Sequence, residues 1–387
     1  MRRGDTLNIG SWISYMSNKV KTMGGINLAQ GLPGFNPPQA LLTLLAEEAT
    51  GSNHQYAPGK GDYGLLSRIV RYLKLSHSYA LTNVLITCGA TEAITLIYQH
   101  LARKKGATFT VAAFGPAYES YSQLPALLGH RFVELTWGSG GQIDFDRLKM
   151  IITHQHIDLL IVGSPGNPWG RVLSVDETSR LCKLALDTGV RIIFDMVYSE
   201  LWFHEPVSFP SPLIQENIYV VGSFSKLFSV TGWRVGWLVA DAREMTEITR
   251  LHDFTGLSAP HPLQVALSRF MDNEQEMTRY VAQLRSLIKE SVVRLEGALS
   301  ELGFRVMPAD GGYFVWAELP DWFTDSGAFA LDLYEFEQVA TVPGIHFGKD
   351  FNHFVRFNGA RPIAEIDEAI IRITRFLLVR KDGMRLL

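Results

Sequence analysis

Cysteine is nearly missing from this chain of 387 residues: only Cys88 and Cys182 occur, both among apolar neighbours. That excludes a disulfide framework and fits a reducing compartment. Charge of one sign is lacking as well. Lys and Arg number 36 against 39 Asp and Glu, a formal net charge of -3, which leaves no field to attract nucleic acid or an anionic membrane surface. No uninterrupted apolar run approaches the ~18 residues that span a bilayer. Met1-Arg2-Arg3-Gly4-Asp5 leads into no apolar segment, so no signal peptide is expected. Internal repeats and low-complexity tracts are absent. The expectation is a soluble cytoplasmic protein that works on small molecules.

What is present is apolar residue, at 47%, more than one compact core needs at this length. Two domains are expected. From about residue 80 to 240, short apolar runs alternate with helical patterns: Val84–Cys88, Thr108–Ala112, Asp158–Val162, Arg191–Asp195, Ile218–Gly222 and Val235–Ala240. Each is brief, often β-branched and closed by a small or polar residue. That is the pattern of strands buried on both faces, hence a mainly parallel sheet covered by helices in an α/β fold. Ile94, Ile97 and Leu101 share one face of a helix opened by Thr91, and Glu177–Leu186 forms another that Gly189 stops. Beyond residue 279 the character changes. Val281, Leu284, Ile288, Val292, Leu295, Leu299 and Leu302 fall at helical spacing before Gly303. Strand-like Gly312–Trp316 and Phe354–Phe357 follow, then a last helix begun by Pro362. The expected division is an N-terminal segment, 1–35, packed with the cleft; a large domain, 36–278; and a smaller α+β domain, 279–387.

The chemistry-bearing residues sit where these strands end, which is where open parallel sheets bind ligands. Ser223-Phe224-Ser225-Lys226 follows one strand, with Arg234 close behind. Burial and neighbouring cations would lower the pKa of an amine there and make it nucleophilic, although a single lysine is ordinarily a surface charge. Asp195 ends another strand, with Tyr198 three residues later. The acid can pair with a protonated ring nitrogen and the phenol can donate to a ring oxygen; alone, they read equally as a cap and a core aromatic. Ser164-Pro165-Gly166-Asn167-Pro168-Trp169-Gly170 is a tight turn that fixes an amide donor. Gly89-Ala90-Thr91 opens a helix, offering free N–H groups and the positive dipole end to a phosphate, with Thr91 as its N-cap the alternative. His154-Gln155-His156 has no matching second pair, so no metal site is expected. Gly138-Ser139-Gly140-Gly141 and Gly59-Lys60-Gly61 lack the setting of nucleotide loops.

Taken together, Lys226, Asp195, Tyr198, Asn167 and Arg234, in this order and spacing, resemble the fold-type-I aminotransferases of class I/II, which depend on pyridoxal 5'-phosphate. The resemblance runs from about Ile26 to the C-terminal helix, with the nearest look to the kynurenine- and methionine-aminotransferase-like group. It implies a large domain built on a mainly parallel seven-stranded sheet between helices, plus a smaller α+β domain, and a homodimer with shared sites. Lys226 would be the Schiff-base lysine and proton shuttle. Asp195 would hold the pyridine nitrogen, with its carboxyl depressed and ionised, and Tyr198 and Asn167 the ring hydroxyl. Tyr118 would stack on the ring. Ala90, Thr91, Ser223 and Arg234 would bind the phosphate, joined by Tyr56 from the other subunit. Arg356, with the backbone of Gly31 and the amide of Asn167, would take the substrate carboxylate.

The implied activity is transfer of an amino group from a neutral or aromatic L-amino acid to a 2-oxo acid by ping-pong kinetics. The alternative on the same fold is a β-lyase acting on carbon–sulfur bonds. A nicotinamide oxidoreductase is disfavoured because no G-x-G-x-x-G follows the first strand, and the intact lysine, aspartate and arginine set argues against a silent relative. Trp12, Tyr15 and Tyr121 are expected to wall the substrate side chain. Ser164, Trp169 and Arg361 depart from the family pattern and are expected to affect the pocket.

Overall fold

The computed structural model describes residues 11–75, 81–212 and 214–385, with side chains to residue 380. Residues 1–10 of the expected N-terminal segment lie outside the described residues. In chain order the strands are β1 (Ile26–Asn27), β2 (Val84–Thr87), β3 (Thr110–Phe114), β4 (Arg131–Leu135), β5 (Leu159–Gly163), β6 (Arg191–Asp195), β7 (Ile218–Ser223), β8 (Gly236–Val239), β9 (Arg305–Met307), β10 (Phe314–Glu318), β11 (Val339–Ala340), β12 (Val342–Pro343) and β13 (Phe354–Asn358).

Seven of them form one sheet in the order β2-β8-β7-β6-β5-β3-β4. All its pairings are parallel except those of β8, which runs against both β2 and β7. The sheet is therefore α/β and mainly parallel, as expected. Successive residues of a strand point to opposite faces, and here both faces are dry. Val84, Ile86, Leu160, Val162, Ile192 and Phe194 pack into one core, while Leu85, Leu159, Ile161, Ile193, Tyr219 and Val221 pack into another across the sheet, against Ile97 and Leu101 of the helix Ala90–Lys105. Edge strand β4 is different: its first four residues are exposed or half-buried, so its sequence lacks the apolar run that marks the others.

The rest of the chain builds a four-stranded antiparallel sheet, β12-β13-β10-β9, against the helices Glu274–Glu301 and Ile363–Arg385. Helix Glu274–Glu301 crosses between the two halves. Val281 packs into the core of the large sheet and Leu284, Ile288 and Val292 into that of the small one. Near the N-terminus, β1 pairs in parallel with β11, and Ile26 and Leu28 join the second core. The two halves are stitched by Gly312 N–H to Leu201 O at 2.7 Å and Phe203 N–H to Asp310 O at 2.8 Å. The cleft between them lies over the ends of β5, β6 and β7. Among the described residues no helix is long and apolar enough to cross a membrane.

Candidate active site

A cavity of about 410 Å³ opens over those strand ends. Register explains the convergence: Gly163 of β5 lies beside Asp195 of β6, and Asp195 beside Val221 of β7. The chain then turns at Ser223 into the short helical turn Phe224–Leu227, which presents Lys226. Gly31, Ala90, Thr91, Tyr118, Asn167, Asp195, Tyr198, Ser223, Lys226, Arg234 and Arg356 all line this one space. Of the residues expected to hold the cofactor and the substrate carboxylate, Tyr56 alone does not line it. It stands 80% exposed on the surface, outside this cavity.

At one end is a cradle for a small anion. Strand β2 ends at Thr87, and Gly89 caps the helix Ala90–Lys105, whose N-terminal N–H groups face the cavity end. Gly89 has φ +79°, and a Cβ there would lie 2.6 Å from Arg234 Nη2. A Cβ on Gly236 would lie 2.8 Å from the Ala90 nitrogen. Both glycines are therefore required for the backbone and the guanidinium to close on one point. Arg234 is steered there by Nη2–H to Cys88 O at 3.3 Å and Nη1–H to Thr231 O at 3.2 Å. The hydroxyl of Ser225 is buried without a partner. Gly89, rather than Thr91, is the N-cap, so Thr91 sits in the first turn with its side chain exposed.

In the middle, Lys226 Nζ donates to Gly31 O at 2.5 Å, and its backbone carbonyl accepts from Tyr313 Oη at 2.9 Å. Burial, then the positive charges of Arg356 and Arg234, lower the amine to about 8 against the opposing pull of Asp195. Asp195 accepts from Tyr121 Oη at 2.7 Å and from Val197 N–H at 3.2 Å. Without a ring cation beside it, the protein alone holds this carboxyl above its usual range. Burial outweighs those two donors and the charge of Lys226, and a cation against Oδ1 would offset it. Burial likewise raises Tyr198.

At the other end, Arg356 of β13 is 1% exposed. Its Nη1 donates to Asn167 Oδ1 at 2.8 Å and its Nη2 to Ala29 O at 2.5 Å; the guanidinium lies 4.1 Å from the centroid of Phe314. Burial lowers it to about 10, and its Nε–H has no partner. Asn167 accepts through its oxygen, so its amide N–H groups remain to donate elsewhere. Gly31 admits no side chain, because a Cβ would lie 2.8 Å from Phe314 Cζ.

Three expectations about the pocket wall change. Tyr121 lines the cavity but is committed to Asp195 rather than to a substrate side chain. Trp12 and Tyr15 pack edge-on against each other, 6.1 Å apart, and from that helix Ile13 faces the cavity instead. The departures Trp169 and Arg361 stay out of it: Trp169 Nε1 donates to Pro308 O at 3.0 Å, and Arg361 pairs with Glu365 at 2.8 Å. Ser164 is buried, its hydroxyl accepting from Leu173 N–H. Sequence reading missed Tyr313 and Glu119. The first carries no signal beyond an apolar run. The second follows Tyr118 directly. Among the described residues no group of three or more His, Cys, Asp or Glu is placed to hold a metal.

The donor set fits pyridoxal phosphate: an anion cradle closed by glycines, a half-buried amine, a buried carboxylate beyond it, and a phenol and amide between. Comparison with known proteins agrees. The family model for aminotransferase class I and II matches residues 24–373. The chain is 30% identical over 382 residues to a probable N-succinyldiaminopimelate aminotransferase of Mycobacterium tuberculosis, covering 93% of this chain and 94% of the relative. The solved structure of N-succinyldiaminopimelate aminotransferase from that organism superposes with a TM-score of 0.86 at 30% identity, over 95% of this chain and 97% of the other. The methionine aminotransferase of Escherichia coli is 28% identical over 337 residues, 85% of each chain, and the mouse kynurenine–oxoglutarate transaminase 1 is 26% identical over 398 residues, 92% of each. These relatives are named for different amino donors, and each is named as an aminotransferase or transaminase. This chain belongs to the class I and II aminotransferases, the pyridoxal-phosphate-dependent transaminases of fold type I.

Proposed function

We propose that the chain transfers the amino group of a neutral or aromatic L-amino acid to a 2-oxo acid, in two half-reactions of a ping-pong cycle. The single observation that carries the substrate class is the distribution of charge in the cavity. Lys226, Arg234 and Arg356 are the cations that line it. The first two stand at the cofactor end, which leaves Arg356 for the substrate's α-carboxylate. The cavity wall also includes Ile13, Leu32, Tyr118, Val197 and Phe314, with the polar Gln30 and the acidic Glu119.

Bound pyridoxal phosphate supplies an electrophilic carbon and a ring that draws electrons from the substrate Cα. The chain does the rest. Arg234, Ser223 and the Ala90 and Thr91 N–H groups would hold the phosphate, with Tyr118 beside the ring. Asp195, held by Tyr121, would keep the ring nitrogen protonated. Tyr198 Oη and the Asn167 amide would donate to the ring oxygen. Arg356 grips the α-carboxylate through parallel N–H groups and so sets the direction of the Cα–H bond. Lys226 Nζ, lowered to about 8, is still mostly protonated at pH 7 but gives up its proton far more readily than an ordinary lysine, so its neutral form can take the proton from the substrate Cα. In this reading the active unit is a cytoplasmic homodimer in which the exposed Tyr56 reaches the phosphate of the other subunit.

The test is a panel of amino donors against the purified holoenzyme, each half-reaction followed by cofactor absorbance. Methionine, phenylalanine or kynurenine should react at least about tenfold faster, as kcat/KM, than aspartate. Preference for aspartate would refute the substrate class. Pyruvate and ammonia from a β-substituted amino acid without an oxo-acid acceptor would indicate the lyase instead.

A further inference from the structure

Glu119 is the one group lining the cavity whose charge the reaction above does not use. It follows Tyr118 directly and caps the start of the helix Ser120–Leu127. Its carboxylate is held from two other parts of the chain. Ser11 Oγ, just before the helix Trp12–Met23, donates to Oε2 at 3.1 Å and approaches Oε1 at 3.4 Å. His346 Nε2 lies 2.9 Å from Oε2, in the turn Gly344–Phe347 beside Phe347, whose ring stands 5.3 Å from the Arg356 guanidinium. Three separate segments thus converge on one carboxylate at the cavity wall.

Burial would raise that carboxyl, but His346, Ser11 and the charge of Arg356 outweigh it and hold it below the usual range. Glu119 is therefore an anion at neutral pH. A carboxylate accepts along about four directions, and Oε1 has only the long 3.4 Å contact. An accepting oxygen is left over, on the same wall as Ile13 and within the electrostatic reach of Arg356.

We propose that Glu119 is a specificity-determining residue. It favours a substrate side chain that is neutral and ends in a hydrogen-bond donor, such as a carboxamide, ring N–H or phenol, and it disfavours a second carboxylate. The inference rests on the assignment of Arg356 to the α-carboxylate. With the substrate anchored there, its side chain extends along a wall whose remaining charge is negative. A carboxamide donates to Glu119, whereas an isosteric carboxylate meets a like charge, which opposes its binding.

Glutarate and its monoamide, glutaramate, isolate this effect because they differ only at the group concerned and do not react. Titrated calorimetrically into the holoenzyme, glutaramate should bind at least about tenfold more tightly than glutarate. Glu119→Gln keeps an acceptor for Ser11 and His346 and removes the charge; it should bring the two within about threefold of each other. Glutamine and glutamate as amino donors should show the same change in their ratio of kcat/KM. A merely structural role for Glu119 would weaken both ligands alike and leave the ratio untouched. That result, or a wild-type preference for glutarate, overturns the inference. Failure of both ligands to bind a holoenzyme with its cofactor in place would contradict the Arg356 assignment as well, so the two failures are distinguishable.

Discussion

Tyr121 Oη donates to Asp195 Oδ2 at 2.7 Å, so the buried carboxylate at the end of β6 is held by a phenol from the helix that Glu119 precedes. This hydrogen bond favours the ionised form of an acid that burial otherwise drives upward. Tyr121→Phe keeps the ring and its edge-on contact with Tyr118 but removes the donor. Hydrogen bonds to charged groups contribute about 1.5–3 kcal/mol. The expected result is a loss of roughly tenfold or more in kcat/KM for every amino donor, beside a stability loss of about 1–3 kcal/mol, checked by steady-state kinetics and thermal unfolding.

Gly89 is the tightest point of the phosphate cradle. Its φ of +79° and ψ of 171° belong to a region almost reserved for glycine, and a Cβ would press on Arg234 Nη2. Gly89→Ala should cost about 1–3 kcal/mol of backbone strain and displace the guanidinium. Cofactor affinity, measured by equilibrium dialysis against pyridoxal phosphate, should fall at least about tenfold.

The lowered amine of Lys226 makes a prediction about stability. Unfolded, the lysine binds a proton up to its ordinary value of 10.5; folded, only up to about 8. Between those values the unfolded state binds more protons, so the cofactor-free protein gains stability as pH rises from about 8 to 10.5. Below pH 8 the full penalty of a buried cation is present, about 3 kcal/mol. Lys226→Met should therefore stabilise the cofactor-free protein at pH 7 by up to ~3 kcal/mol and flatten that pH dependence. Urea unfolding at pH 7 and pH 10 checks it.

Arg356 is buried with Nε–H unpartnered, a cation poised to take an anion. Arg356→Ala should raise the KM for amino acids about a hundredfold, consistent with loss of a buried charge-assisted pair, while the affinity for pyridoxal phosphate changes little. An unchanged KM would remove Arg356 from the substrate site.

Much of this was legible in the sequence because strands buried on both faces write themselves as apolar runs, and their ends carry the chemistry within a few residues. Asp195, Ser223 and Lys226 are found that way. Edge strand β4 was not, because Arg131-Phe132-Val133-Glu134 faces solvent for most of its length and no apolar run records it. Tyr121 was taken for substrate wall because an aromatic at helical spacing looks the same whether it packs or donates; only the approach of the helix Ser120–Leu127 to β6 decides. Trp169 and Arg361 are expected at the pocket because they depart from the family pattern beside Asn167 and the Arg356 strand. Their side chains instead turn to Pro308 and Glu365. Glu119 gave no signal, since its meaning depends on Ser11 and His346, more than a hundred residues away in each direction.

The central claim is that Lys226 is the amine that carries the cofactor. Borohydride reduction of the holoenzyme, followed by peptide mass analysis, tests it directly. The account predicts a phosphopyridoxyl group on Lys226 and on no other lysine, with none incorporated into Lys226→Ala. A label on another lysine contradicts it: on Lys60, for example, whose Nζ donates to Leu81 O and Thr82 O at 3.0 and 2.8 Å. So does a protein that takes no label after incubation with pyridoxal phosphate.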